Sequence, residues 1–151
     1  MRRVWLLSFF LVLAACTARD PRESPESAAR ALVEALERLH QSAYRAQAFS
    51  LLDAQSREVL EARARTAESL SHRPFTGADM FVPTAAGFAF KPGRIRDEDV
   101  VIDGDRARVT LRGDDPGEVA TLELVRENDG WHVVLGLSRE RDVPSPTVLS
   151  P

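Results

Sequence analysis

The spacing of hydrophobic positions changes twice along this chain. Residues 4–13 form an almost unbroken apolar run, interrupted only by Ser8. From Ser24 to about residue 70, apolar residues recur every three or four positions, the period of an amphipathic helix. From Arg94 onward they recur every second position, the period of a strand with one buried face. Residues 71–93 follow neither rule.

The helical part begins with Ser24-Pro25-Glu26: a hydroxyl N-cap, a proline at the first helical position and an acid in the first turn. Ala28, Leu32, Leu36, Leu39 and Ala43 then repeat at helical spacing, opposite Arg30, Glu34, Glu37 and Arg38. The pattern breaks near His40-Gln41-Ser42. A second, shorter helix is predicted over 43–52, with Tyr44, Ala48, Phe49 and Leu52 inward. Asp53 can cap a third, predicted over 54–70, whose inward positions are Val59, Leu60, Ala64, Ala67 and Leu70.

The alternating part predicts four strands. The first spans 95–102 and leads into Asp103-Gly104, a two-residue hairpin turn. The second spans 106–112, with Ala107, Val109 and Leu111 on one face and Arg106, Arg108, Thr110 and Arg112 on the other. The third spans 118–126 with Ala120, Leu122 and Leu124 inward. The fourth spans 131–137, with Trp131, Val133, Leu135 and Leu137 on one face and His132 on the other. Helices followed by an antiparallel meander make an α+β domain over 24–137, with the first helix covering the sheet's apolar face. Residues 138–151, with three prolines and little apolar content, read as a disordered tail.

Residues 71–93 are broken by Pro74, Gly77, Pro83, Gly87, Pro92 and Gly93, yet carry Phe75, Phe81, Phe88 and Phe90. So aromatic a loop must cover something: the open end of the core, a pocket, or a short strand near Gly87. Tyr44, Phe49, Phe81, Phe88, Phe90 and Trp131 are the candidate pocket lining, set against their use as ordinary core.

The apolar run at 4–13, with Arg2 and Arg3 before it and Ala14 and Ala15 after, is laid out as a secretory signal peptide. It is about half the ~20 apolar residues that span a bilayer. Leu13-Ala14-Ala15-Cys16 resembles the lipobox of bacterial lipoproteins. That resemblance implies cleavage between Ala15 and Cys16, with removal of 1–15 and a diacylglycerol thioether on Cys16. Residues 16–23 would be the lipidated cysteine and a polar tether. The implied location is the bacterial cell envelope, facing the periplasm or the cell surface. Thr17 in place of Asp favours the outer membrane over the inner.

Cys16 is the chain's one cysteine, so once it is lipidated disulfides, thiolate metal sites and a cysteine nucleophile are excluded. Losing Arg2 and Arg3 with the leader takes the formal net charge from −3 to −5. No basic stripe remains to suggest nucleic acid as a partner.

Residues 24–62, with Tyr44, Leu51, Leu52, Ser56 and Leu60 in their helices, resemble the opening of the nuclear-transport-factor-2-like superfamily. The nearer likeness is to small bacterial lipoproteins with lumazine-binding-like or SnoaL-like domains. The hairpin residues 100–113 and the closing 121–135, with Trp131 in the last strand, resemble that group's final hairpins. The resemblance implies a cone-like half-barrel: a curved sheet around the first helix, often with an internal pocket. Some members are isomerases or dehydratases that place Asp, His or Tyr in that pocket.

Candidate chemistry is sparse. His40, His72 and His132 lie far apart, and none has a partner at helical metal-ligand spacing. Asp97, Glu98 and Asp99, and Asp114 with Asp115, read as solvated turn acids. Arg106, Arg108 and Arg112 read as cross-strand partners of Glu118 and Glu123. There is no nucleophile elbow, phosphate loop or dinucleotide fingerprint. The expectation is therefore a non-catalytic, lipid-anchored domain that binds an envelope protein or a small apolar ligand, with no catalytic residues, metal or cofactor. The alternative is a small isomerase- or dehydratase-type enzyme working in the cone.

Overall fold

The computed structural model describes residues 20–137; the leader with Ala15 and Cys16, and the tail 138–151, lie outside the described residues. Three helices precede a four-stranded antiparallel sheet in the strand order β1-β2-β3-β4. The class is α+β, as the two periodicities require, and the sheet does not close into a barrel.

Helix α1 is Pro25–Glu37, and the Ser24 side chain accepts from the Ser27 amide to cap it. Its buried face is Pro25, Ala28, Ala29, Ala31, Leu32 and Ala35. These small residues let α1 lie close on the sheet, where it touches β2 (Arg106–Arg112) and β4 (Gly130–Val134). Helix α2 is Ser42–Ser50, and α3 is Ala54–Ser71, capped by the Asp53 carboxylate on the Ser56 amide. Val59, Leu60 and Ala64 of α3 turn inward as expected. Leu70 does not: it is 79% exposed, because the last turns of α3 run beyond the core.

Strand β1 is Val100–Asp103 and β3 is Val119–Glu127. The predicted first strand was too long: residues 97–99 form a 3-10 turn. The buried Asp99 carboxylate fixes that turn, accepting from the Arg96 amide at 3.0 Å and from Arg112 Nε at 3.1 Å. Arg112 therefore pairs with Asp99 rather than with Glu118. The core face of the sheet is Ala107, Val109 and Leu111 of β2, Leu122 and Leu124 of β3, and Trp131 and Val133 of β4.

Two short 3-10 turns, Gly77–Met80 and Pro83–Ala86, replace the strand considered near Gly87. Phe81 is buried in the core with Trp131, while Tyr44, Phe49, Phe88 and Phe90 pack half-buried against it. The aromatic loop thus closes the core. None of these six residues lines the groove of about 220 Å³ that runs between α1 and residues 92–95.

Leu32 is fully buried, so Leu32→Ala should cost about 2–5 kcal/mol in chemical denaturation. Leu70→Ala should stay within about 0.5 kcal/mol. The hydrogen bond from the Arg96 amide, with the Arg112 guanidinium, holds Asp99 below the usual carboxylate range. Its contribution to stability is complete above the unfolded value of about 3.9 and is lost as pH falls through the lower folded value. Asp99→Asn should accordingly reduce the slope of unfolding free energy against pH on the acid side.

Candidate functional site

The fourth strand carries the one polar residue that its alternation does not explain. His132 lies on the face opposite Trp131 and Val133, where solvent is expected, yet it is completely buried. Two segments close over that face of β4. The first is the α2–α3 junction, which runs beside β4 and bonds to it through Val133 N to Leu51 O (2.8 Å) and Asp53 N to Val133 O (3.0 Å). The second is a 3-10 turn, Pro21–Glu23, seated against β4. Residues expected to belong to a polar tether are therefore part of the folded unit.

Gly130 makes the second contact possible. A Cβ there would stand 2.6 Å from Arg22 Cβ and from the Arg22 carbonyl oxygen, and its φ of +131° disfavours any side chain. Asp20 caps the Pro21–Glu23 turn through the Arg22 amide at 2.9 Å and pairs with the Arg22 guanidinium. The same guanidinium donates to Asp129 Oδ2.

Around His132 the acceptors converge. Nδ1 lies 3.1 Å from the Leu52 carbonyl oxygen, and Nε2 lies 2.9 Å from Asp129 Oδ1 and 3.9 Å from Glu127 Oε2. A carbonyl and a carboxylate both accept, so the ring must supply a positive hydrogen at each nitrogen or hold a cation at one of them. The hydrogen bond from His132, with the charges of His132 and Arg22, holds Asp129 below the usual carboxylate range. Glu127 is fixed from its other side, Oε1 accepting from the Ala54 amide at 2.8 Å and Oε2 lying 3.4 Å from Arg57. That amide belongs to the first turn of α3, where a carboxylate also meets the positive end of the helix dipole.

Glu127, Asp129 and His132 each present one donor atom, and these atoms lie within 4.8 Å of one another. Helical metal-ligand spacing does not reveal this set, because a hairpin turn rather than a helix brings it together. The visible signal is a histidine inside an otherwise apolar closing strand, three and five residues beyond turn-flanking acids. The other two histidines do not join it: His40 follows α1 and His72 caps α3 in a left-handed conformation (φ 55°), both exposed. The other buried polar side chains hold the frame. Asp53 caps α3, Ser56 Oγ accepts from the Leu135 amide at 2.9 Å, and Asp99 binds Arg96 and Arg112.

No family model, curated protein or solved structure matches this chain.

Gly130→Ala combines a left-handed backbone with a clash on Arg22, where main chain cannot give way as a side-chain tip would. It should destabilise the fold by roughly 1–3 kcal/mol in urea unfolding. The same variant should raise amide exchange over residues 20–23, while exchange at Val109 in the sheet centre keeps its rank as the slowest class.

Proposed function

We propose that this chain is a lipid-anchored lipoprotein of the bacterial cell envelope whose α+β domain binds a partner and performs no chemistry of its own. The observation that carries the proposal is Leu13-Ala14-Ala15-Cys16 placed directly behind a basic and then apolar leader. Two or three acyl chains, at about 0.8 kcal/mol per buried CH₂, hold a protein firmly on a bilayer. No helix among the described residues is long and apolar enough to cross a membrane, so a lipid on Cys16 is the attachment this reading requires.

The folded unit bears on what the anchor would present. Three residues separate Cys16 from Asp20, so the four steps between them, at ~3.5 Å each, reach at most about 14 Å. Because Arg22 is held on Gly130 and Asp129, an anchor at Cys16 would bring the β3–β4 turn towards the bilayer. The one site among the described residues that this reading offers to a partner is the groove between α1 and residues 92–95.

That groove, lined by Arg30, Val33, Glu34, Glu37, Arg94 and Ile95, is smaller than the ~300 Å³ at which small-molecule pockets begin. Its mixed charges suit a protein surface better than an apolar ligand. The enzyme reading needs an ionisable group facing a cavity inside the cone. The sheet's core face carries alanine, valine, leucine and tryptophan instead.

Cys16→Ser should release the protein from the membrane fraction and abolish its labelling by palmitate. If the variant stays with the membranes and the unaltered protein takes no label, the lipoprotein reading is wrong.

A further inference from the structure

We propose that Glu127, Asp129 and His132 form a binding site for one divalent transition-metal cation of the zinc class. The inference concerns the β3–β4 turn and stands whether or not Cys16 is lipidated.

The first argument is the histidine itself. An imidazole with no exposed surface faces oxygen acceptors at both nitrogens. A neutral ring satisfies only one of them. With Nδ1–H donated to the Leu52 carbonyl, the Nε2 lone pair points at Asp129 and Glu127. A metal-ligating histidine is held in this way: its outer N–H is fixed by a main-chain carbonyl and its inner nitrogen is left to the cation.

The second argument is how the carboxylates are held. Asp129 Oδ2 is taken by Arg22, which leaves Oδ1 at 2.9 Å from Nε2. Glu127 Oε1 is taken by the Ala54 amide, which leaves Oε2 at 3.9 Å from Nε2. Each acid thus has one oxygen tied outward and one turned to the same point. Donors about 2.0–2.2 Å from a tetrahedral zinc stand ~3.3 Å from each other, between the two separations observed here. Arg57 also reaches Glu127 Oε2, at 3.4 Å, a long contact that a bound cation would replace.

One imidazole with two carboxylates selects zinc-class ions over calcium and magnesium, which take oxygen ligands. The Asp129 side chain is 54% exposed, so the cation has an entry path from solvent and its remaining positions can hold water.

The test uses the full chain carrying Cys16→Ser, so that no thiol contributes, titrated with ZnCl₂ by calorimetry. One equivalent should bind, and His132→Gln should abolish the event. Asp129→Asn, which removes a ligand charge and is checked for folding by circular dichroism, should weaken it by at least the roughly 100-fold that loss of an outer-shell partner can cost. Glu98→Gln, an exposed acid in another part of the fold, should leave it unchanged. Nitrogen NMR of His132 gives the second readout: the Nε2 resonance should shift on adding Zn²⁺ while Nδ1 keeps its proton. The proposal is overturned if no equivalent binds, if the Nε2 resonance does not move on adding Zn²⁺, or if Asp129→Asn binds Zn²⁺ as tightly as the unaltered site.

Discussion

Helices and sheet are joined along a single line of hydrogen bonds. The α2–α3 junction lies parallel to β4 and exchanges main-chain bonds with Val133 on both sides. His132 adds a bond to Leu52 and Ser56 adds one from Leu135, so residues 51–56 hold β4 and the chain just beyond it along its whole length. β4 is an edge strand of the sheet, and an open edge invites pairing with other chains. Here that edge is closed by the molecule's own chain. The opposite edge, β1, is only four residues long and ends on Asp103, with Asp97, Glu98 and Asp99 leading into it. Shortness and charge protect that side instead.

Periodicity made the larger part of this arrangement readable. The Ser24 and Asp53 caps and the alternation through 106–112 each state a local preference that the fold keeps; the hairpin expected at Asp103-Gly104 turns one residue later, at Gly104-Asp105, because Asp103 still pairs with Arg106. The errors have physical causes. Leu70 keeps the helical phase, but phase says nothing about where the core ends. The strand expected from residue 95 starts only at Val100, because Asp99 gains two partners in a 3-10 turn, a tertiary reward that no local pattern encodes. The aromatic loop was legible as a cover and not as a shape, because 3-10 turns leave no period to read.

The candidate site was less legible still. Alternation placed His132 on the correct face and then implied that this face was wet. Its burial depends on residues 20–23 and 51–53, more than a hundred and about eighty positions away in sequence. What the alternation did contain was an anomaly: a histidine where a closing strand otherwise carries apolar residues. Burial of that ring places a positive requirement inside the fold. Glu127 and Asp129 answer it from one side, and Arg57 and Arg22 balance those acids from the other.

The seat of Arg22 on Gly130 also decides how the molecule carries mechanical load. A pull arriving from the N-terminal side of the chain does not reach α1 first. It meets the Asp20–Arg22–Asp129 pairs and the turn lodged where Gly130 has no side chain. Those contacts sit at the end of β4, so tension would be shed into the hairpin and, through the Leu51–Asp53 pairing, shared by both layers. Peeling such a junction means breaking ion pairs one at a time, a soft and reversible failure. The helical cap at Ser24 and the apolar core behind it would be spared until the clamp had opened.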